Sequence, residues 1–468
     1  MKNFFKKYDL IKIAGILVLL TVVLTWIIPS GYFSGTELTT EEIKRVGLTN
    51  FMQYGLLGMY YFTVLITFLF VLGGFYQVLS KTAGYQSLVK GISKKMKGHE
   101  ILFAVIISVV LAVLTSMANE YFPILVIIPL LITILERLKV DKISAFSVTF
   151  GALLVGTIGS VYSGKVAGYL NSTFTDSYII VKILLLIFAL VLLNVFTVLR
   201  MKKTMKSKEF SEYDRFEIET VKSSKSNPVK WPYIVGGILI LLTTILAYLP
   251  WETWGVTVFA SITEWVNGLS LFGVPIVSYV FGDFLAFGTW DIFTIQFVML
   301  FAVLLIHWFG KVSLDEVFAS FGEGFKKMSY VVIVLLFVYA VLEFAVMFPV
   351  IPVMVDWIAG LAKGFNCVLA FLGAAVASLF GVEMQYVTNL AGTYFAATYP
   401  KRLDILSIIF QSAFGLVSFC APSSAILMLG LAYLDIPYKD WMKYIWKFIL
   451  SMLVIVFVII AIMLLAVL

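Results

Sequence analysis

Apolar residues run almost unbroken through this chain, and polar residues come in short clusters between the runs. Residues 11–28, 54–70, 179–198, 231–249, 292–308, 331–348 and 445–468 are each long enough, or nearly so, to cross about 30 Å of hydrocarbon as a helix. Two further apolar runs, 101–114 and 122–135, are shorter. At 1.5 Å per residue each extends about 21 Å, too little to cross alone. Between them lies the polar cluster Thr115-Ser116-Met117-Ala118-Asn119-Glu120-Tyr121, and both outer flanks are basic: Lys94, Lys95 and Lys97 before, Arg137, Lys139 and Lys142 after. The bias of basic residues to the cytoplasmic side puts both flanks on one face, so 101–136 reads as a re-entrant hairpin with its tip inside the membrane. Irregular backbone at that depth requires surrounding protein or a water-filled cavity.

Residues 144–172 read as a broken helix, interrupted at Gly159-Ser160-Val161-Tyr162-Ser163-Gly164-Lys165. Such a break exposes backbone carbonyls and a half-helix N-terminus, the means by which carriers hold ions and charged solutes. A related pattern recurs later. Aligned without gaps, 142–164 and 402–424 pair Lys142 with Arg402, Ser147 with Ser407, Phe150 with Phe410 and Ser163 with Ser423. Leu88-Val89-Lys90-Gly91 has a counterpart in Leu361-Ala362-Lys363-Gly364, and a second hairpin, 367–400, has the tip Glu383-Met384-Gln385-Tyr386-Val387-Thr388-Asn389. A second broken helix follows at 403–433, then a final span.

The expected organisation is a first repeat at 1–199, a linker at 200–230, a connecting span and external segment at 231–289, and a second repeat at 290–468. Because 231–249 adds a crossing between the halves, the repeats are inverted, the architecture of alternating-access carriers. The expected fold class is an all-α polytopic membrane protein with about nine transmembrane helices, two re-entrant hairpins and two interrupted helices.

Composition changes only the solvent: 61% hydrophobic and 13% charged residues, with mean hydropathy +1.01, require a lipid bilayer around the chain. Charge then orients it. Lys2 to Lys12 place the N-terminus in the cytoplasm, 30–50 falls outside, 76–100 forms an amphipathic cytoplasmic arm, and the C-terminus is external, in a multi-pass protein of the plasma membrane. The net charge of +7 sits in connecting segments as a topology signal, not as a nucleic-acid footprint. The first apolar run lacks a small-residue cleavage site and reads as a retained span. Cys367 and Cys420 lie in apolar surroundings as packing residues, while His99 and His307 are too far apart in this topology for a metal site. Gly159 to Val166 falls one residue short of a phosphate-binding loop, since Val166 lacks the magnesium-binding hydroxyl. No nucleophile and base set is present, so no enzyme and no cofactor is expected.

Glu120, Lys165 and Glu383 are the ionisable residues this topology places deepest, and such groups are functional by default unless they merely lock one another. The candidate substrate-binding set is Ser116, Asn119, Glu120, Ser163, Lys165, Glu383, Gln385, Asn389, Ser423 and Ser424. Thr115, Ser160, Glu120, Thr388 and Ser418 are candidates for a sodium ion or proton. Tyr162 and Tyr386 fit either closure over a substrate or interfacial packing. Two acids against one base favour a zwitterionic or cationic solute; which acid Lys165 meets stays open. A sodium- or proton-coupled dicarboxylate or peptide carrier is the competing reading, and a channel is the alternative of another class.

Thr25-Trp26-Ile27-Ile28-Pro29-Ser30-Gly31, Ala118-Asn119-Glu120-Tyr121-Phe122-Pro123 with Ile128-Pro129-Leu130, and Pro422-Ser423-Ser424 followed by Ile436-Pro437-Tyr438-Lys439-Asp440-Trp441 together resemble the YfcC-type carriers of the ion transporter superfamily. The resemblance runs in order over most of the chain. It implies a homodimeric carrier of basic amino acids, in arginine or ornithine uptake or exchange, with C4-dicarboxylate carriers as relatives. Ser163-Gly164-Lys165-Val166 and Glu383-Met384-Gln385-Tyr386 depart from the family's usual break and tip.

Overall fold

The computed structural model describes residues 8–162, 164–175, 178–207, 212–216, 246–247, 249–310 and 312–467. The last helix, Tyr438–Val467, shows why these sequences fold as they do. One stripe, Trp441, Ile445, Phe448, Met452, Val456, Ile460 and Met463, is at most 5% exposed. The opposite stripe, Leu450, Val454, Val458, Ile462 and Leu465, is 51–73% exposed although wholly apolar. Both follow the helical period, so the inward stripe packs on protein and the outward one is matched only by lipid. Six helices among the described residues are long and apolar enough to cross a membrane. The chain is an all-α polytopic membrane protein.

The long helix Leu314–Met347 is the central post, packed along Asp9–Ile27, Leu48–Tyr61, Thr63–Ser80 and Ala425–Leu434. Its crossing with Thr63–Ser80 is backbone to backbone: a Cβ on Gly324 would lie 2.2 Å from the Gly73 carbonyl oxygen. Small residues at such a crossing let dispersion forces act over a large area. The apolar run 54–70 contains a helix boundary. It divides at Phe62, which closes Leu48–Tyr61 and opens Thr63–Ser80 while its ring stacks on Tyr339 at 3.7 Å. Apolar residues on both sides hid that break.

The first hairpin differs from expectation in its arms. Glu100–Met117 is an 18-residue helix that takes in Thr115 and Ser116, and it is long enough to cross alone. The hydroxyls of both bond carbonyls of their own helix, so the helix continues through them. The return arm is a 3-10 turn at Phe122–Val126 and a ten-residue helix, Ile128–Arg137. The first broken helix runs Lys142–Phe146, a π-segment Ser147–Gly151 and Ala152–Ile158, then breaks at 159–164 and resumes as Lys165–Asn171. Cys367–Gly381, Met384–Val387, a π-segment Thr388–Gly392 and Thr393–Thr398 form the second hairpin. Leu403–Ser418 and Ala425–Leu434 flank the second break. Leu88 to Gly91 is helical within Ala83–Met96, whereas Leu361 to Gly364 follows the helix Ile351–Ala359 as turns and bends, so these two motifs are not structural counterparts. The loop 30–50 contains a small hairpin, Gly31–Ser34 with Glu37–Thr40.

The connecting span expected at 231–249 lies almost entirely outside the described residues, as does most of the linker. Residues 212–216 of the linker are docked. The Arg215 guanidinium donates to the carbonyls of Ala432 and Tyr433, at the C-terminus of Ala425–Leu434, and of Lys327 on the central post. Cations are favoured at such a terminus because they meet carbonyls that have no partner within the helix. Phe216 is fully buried against Tyr76 and Tyr433. The Tyr213 hydroxyl donates to the Val140 carbonyl at 2.8 Å, and the backbone N–H groups of Tyr213 and Asp214 donate to Glu136.

Candidate functional site

Three chain interruptions meet at Lys165. Its Nζ lies 2.8 Å from Glu120 Oε2 and 3.2 Å from Glu383 Oε2, and its side chain is 9% exposed. The ammonium also lies 4.7 Å from the Tyr121 ring centroid and 5.4 Å from that of Phe122, within cation–π range. Lys165 therefore pairs with both carboxylates, one from each hairpin.

Local geometry explains each placement. Glu120 Oε1 accepts from the backbone N–H groups of Tyr121 and Phe122 at 2.9 and 3.3 Å, meeting donors that the 3-10 turn leaves free at its start. Its other oxygen thus faces Lys165. Glu383 follows Val382, whose φ of +55° and ψ of −46° form a tight three-residue turn closed by Glu383 N–H on the Gly381 carbonyl. A β-branched residue there is strained, and strain of this kind is held only where surrounding structure determines the chain path. The Tyr339 hydroxyl on the central post completes the placement by donating to Glu383 Oε1 at 3.2 Å.

The first break is fastened to the first tip by main chain. Val161 N–H donates to the Ser116 carbonyl and Lys165 N–H to the Ala118 carbonyl, both at 2.9 Å. Gly164 makes that approach possible, since a Cβ there would sit 2.2 Å from the Ser116 carbonyl oxygen. Ser160 Oγ donates to the same carbonyl and accepts from Ala167 N–H, so it caps the short helix that carries Lys165. Gln411, across the molecule on Leu403–Ser418, donates to the carbonyls of Ile158 and Ser160 at 2.9 Å each.

The other sequence-derived candidates fall into three groups. Asn119, Gln385 and Asn389 have exposed side chains at or beside the two tips. Thr115, Ser116, Thr388 and Ser418 are buried and direct their hydroxyls to carbonyls of their own segments. Ser423 and Ser424 are buried at the second break, where Tyr438 and Trp441 bond the carbonyls of Cys420 and Phe419. Among the described residues no hydrogen bond joins that break to Lys165. Ser163 lies outside the described residues. Tyr162 is 46% exposed. Tyr386 is partly buried and within electrostatic reach of Glu383 and Lys165.

Tyr339 and Gln411 do not stand out in the sequence, because each lies within a helical run and not at a chain interruption. Among the described residues no group of three or more His, Cys, Asp or Glu side chains is placed to hold a metal ion.

Residues 8–465, nearly the whole chain, match the family model described as DcuC, C4-dicarboxylate anaerobic carrier. The chain belongs to the C4-dicarboxylate anaerobic carrier family. An Escherichia coli (strain K12) protein, YfcC, provisionally named a basic amino acid antiporter, is 23% identical over 435 residues, covering 87% of this chain and 79% of its own. The solved structure of the Alcanivorax borkumensis YdaH transporter aligns with a TM-score of 0.40 at 12% identity, over 98% of this chain and 97% of that one. Membership of the C4-dicarboxylate anaerobic carrier family makes this chain a multi-pass secondary transporter.

Proposed function

We propose that this carrier moves small zwitterionic or cationic amino acids, of the arginine and ornithine kind, across the plasma membrane by alternating access and in exchange for one another. The observation behind the reading is the triad itself: two carboxylates around one ammonium give the site a formal charge of −1. A basic amino acid, with one carboxylate and two cationic groups, complements that charge. Its carboxylate takes Lys165 and an ammonium takes the carboxylate that Lys165 releases. Glu383 is the one released, since its contact is the longer. The name given to the E. coli relative, basic amino acid antiporter, supports the same reading.

Lys165 provides a fixed positive charge at the site, so exchange needs no bound sodium ion. The exposed Asn119, Gln385 and Asn389 are placed to meet polar parts of the solute. The common order of hairpin, broken helix and final span supports inverted repeats, with the N-terminus cytoplasmic and the C-terminus external.

A second reading, coupled transport of a dicarboxylate, is favoured by the family description. Counterflow in proteoliposomes with arginine, ornithine, succinate and a dipeptide separates the two. Saturable exchange of arginine and ornithine, without single-channel currents, is the expected result; succinate exchange without amino acid exchange overturns the proposal. Lys165→Met and Lys165→Gln should lower arginine affinity, and unchanged affinity in both would remove Lys165 from the site.

A further inference from the structure

A fourth ionisable group lies on the helix that carries Tyr339. Glu343, on the central post one turn beyond Tyr339, is 6% exposed, and its Oε1 has no hydrogen-bond partner among the described residues. Its neighbours Val341, Leu342, Phe344 and Ala345 are at most 2% exposed, so this stretch of helix is enclosed by protein and not by lipid. A carboxyl inside a membrane-crossing helix is expensive to keep unless it serves a charge, a water-filled cavity or a ligand.

The surroundings connect it to the site. Tyr339 bonds Glu383, so residues 339 and 343 mark a line that starts at the triad and continues for about 6 Å along the helix. Tyr386, on the second hairpin, is within electrostatic reach of both Glu383 and Glu343. Gly58 packs beside Glu343, a Cβ there lying 3.8 Å from the Glu343 Cβ.

We infer that Glu343 receives the distal cation of the substrate, with Glu383 receiving its α-ammonium and Lys165 its carboxylate. Glu343 follows Tyr339, the partner of Glu383, by one turn of the central post, and its free carboxylate oxygen supplies the acceptor. This rests on the amino acid reading above and adds to it the residue that distinguishes a basic side chain from a neutral one. Glu343 is then a specificity residue, while the triad serves every amino acid that enters.

The test is counterflow of labelled arginine and of labelled citrulline, its uncharged analogue, in proteoliposomes of wild type, Glu343→Gln and Glu343→Asp. A charge-assisted bond at the distal group predicts a wild-type preference for arginine of roughly ten- to a hundredfold. In E343Q that preference should collapse while citrulline exchange persists, and in E343D most of it should remain. An E343Q protein that keeps the wild-type ratio overturns the inference. So does a wild type that takes both solutes equally, a result that needs no folded variant. Failure of the amino acid reading looks different: neither arginine nor citrulline exchanges, and succinate does.

Discussion

Removing Lys165 and removing one of its partners are unequal changes. Without Lys165, Glu120 and Glu383 are left facing one another with no cation between them. Breaking a fully buried pair costs roughly 3–5 kcal/mol, and less here because Glu120 and Glu383 keep 24% and 15% side-chain exposure. Without Glu383, the shorter Lys165–Glu120 contact survives. Thermal unfolding in detergent should therefore show a much larger drop in Tm for Lys165→Met than for Glu383→Gln, although both lose exchange. Equal drops would mean that Glu383 matters to the fold as much as Lys165 does. These three charged residues were legible in the sequence because each lies in a polar cluster between apolar runs. Glu343 was not, since a single acidic side chain inside a continuous helical run leaves the apolar pattern intact.

Helices and turns carry their own consequences. Gly164→Ala puts a methyl group into the Ser116 carbonyl, so the break must part from the first tip. The expected result is loss of exchange with the rest of the helical content retained, read by transport and far-ultraviolet circular dichroism. The docked linker segment responds to pH instead. Burial pushes the Asp214 carboxyl up to about 6; Glu136 raises it further, while Thr133, the Phe216 N–H and Lys327 oppose the shift. The docked form thus holds its proton more tightly than a free carboxyl, whose pKa is about 3.9. Docking is strongest below pH ~4, weakens as pH rises to about 6, and is constant above. Protection of residues 212–216, hydrogen exchange corrected for its intrinsic pH dependence, should fall between those values, and Asp214→Asn should abolish the fall. The linker was readable as polar and basic, but periodicity carries no sign that five of its residues return to the helices. The division at Phe62 was equally hidden, because a helix boundary between two apolar stretches alters no pattern of hydrophobicity.

For the whole molecule, the triad joins parts of the chain more than 200 residues apart, Glu120 and Lys165 on one side and Glu383 on the other. A ligand that replaces one of these contacts with its own charges binds only the folded carrier. Saturating arginine should then raise the Tm of the wild type, by about 2.7 kcal/mol of added stability at a hundred times Kd. E383Q should show little of this rise, and a rise with succinate alone would favour the dicarboxylate reading. Polar clusters show where a helix stops, but not whether a hydroxyl turns outward or back onto its own helix, as those of Thr115 and Ser116 do.

The docked segment also decides where this carrier can be divided. Tyr213, Asp214 and Arg215 tie Glu136 and Val140 to Lys327, Ala432 and Tyr433. A chain opened just after Phe216 would give a first fragment ending in a ready-made address tag for the second. Two such fragments, co-expressed, should purify together and regain exchange. Adding Arg215→Ala to the chain opened after Phe216 removes the guanidinium that reaches Lys327, Ala432 and Tyr433, and recovery of the complex should fall.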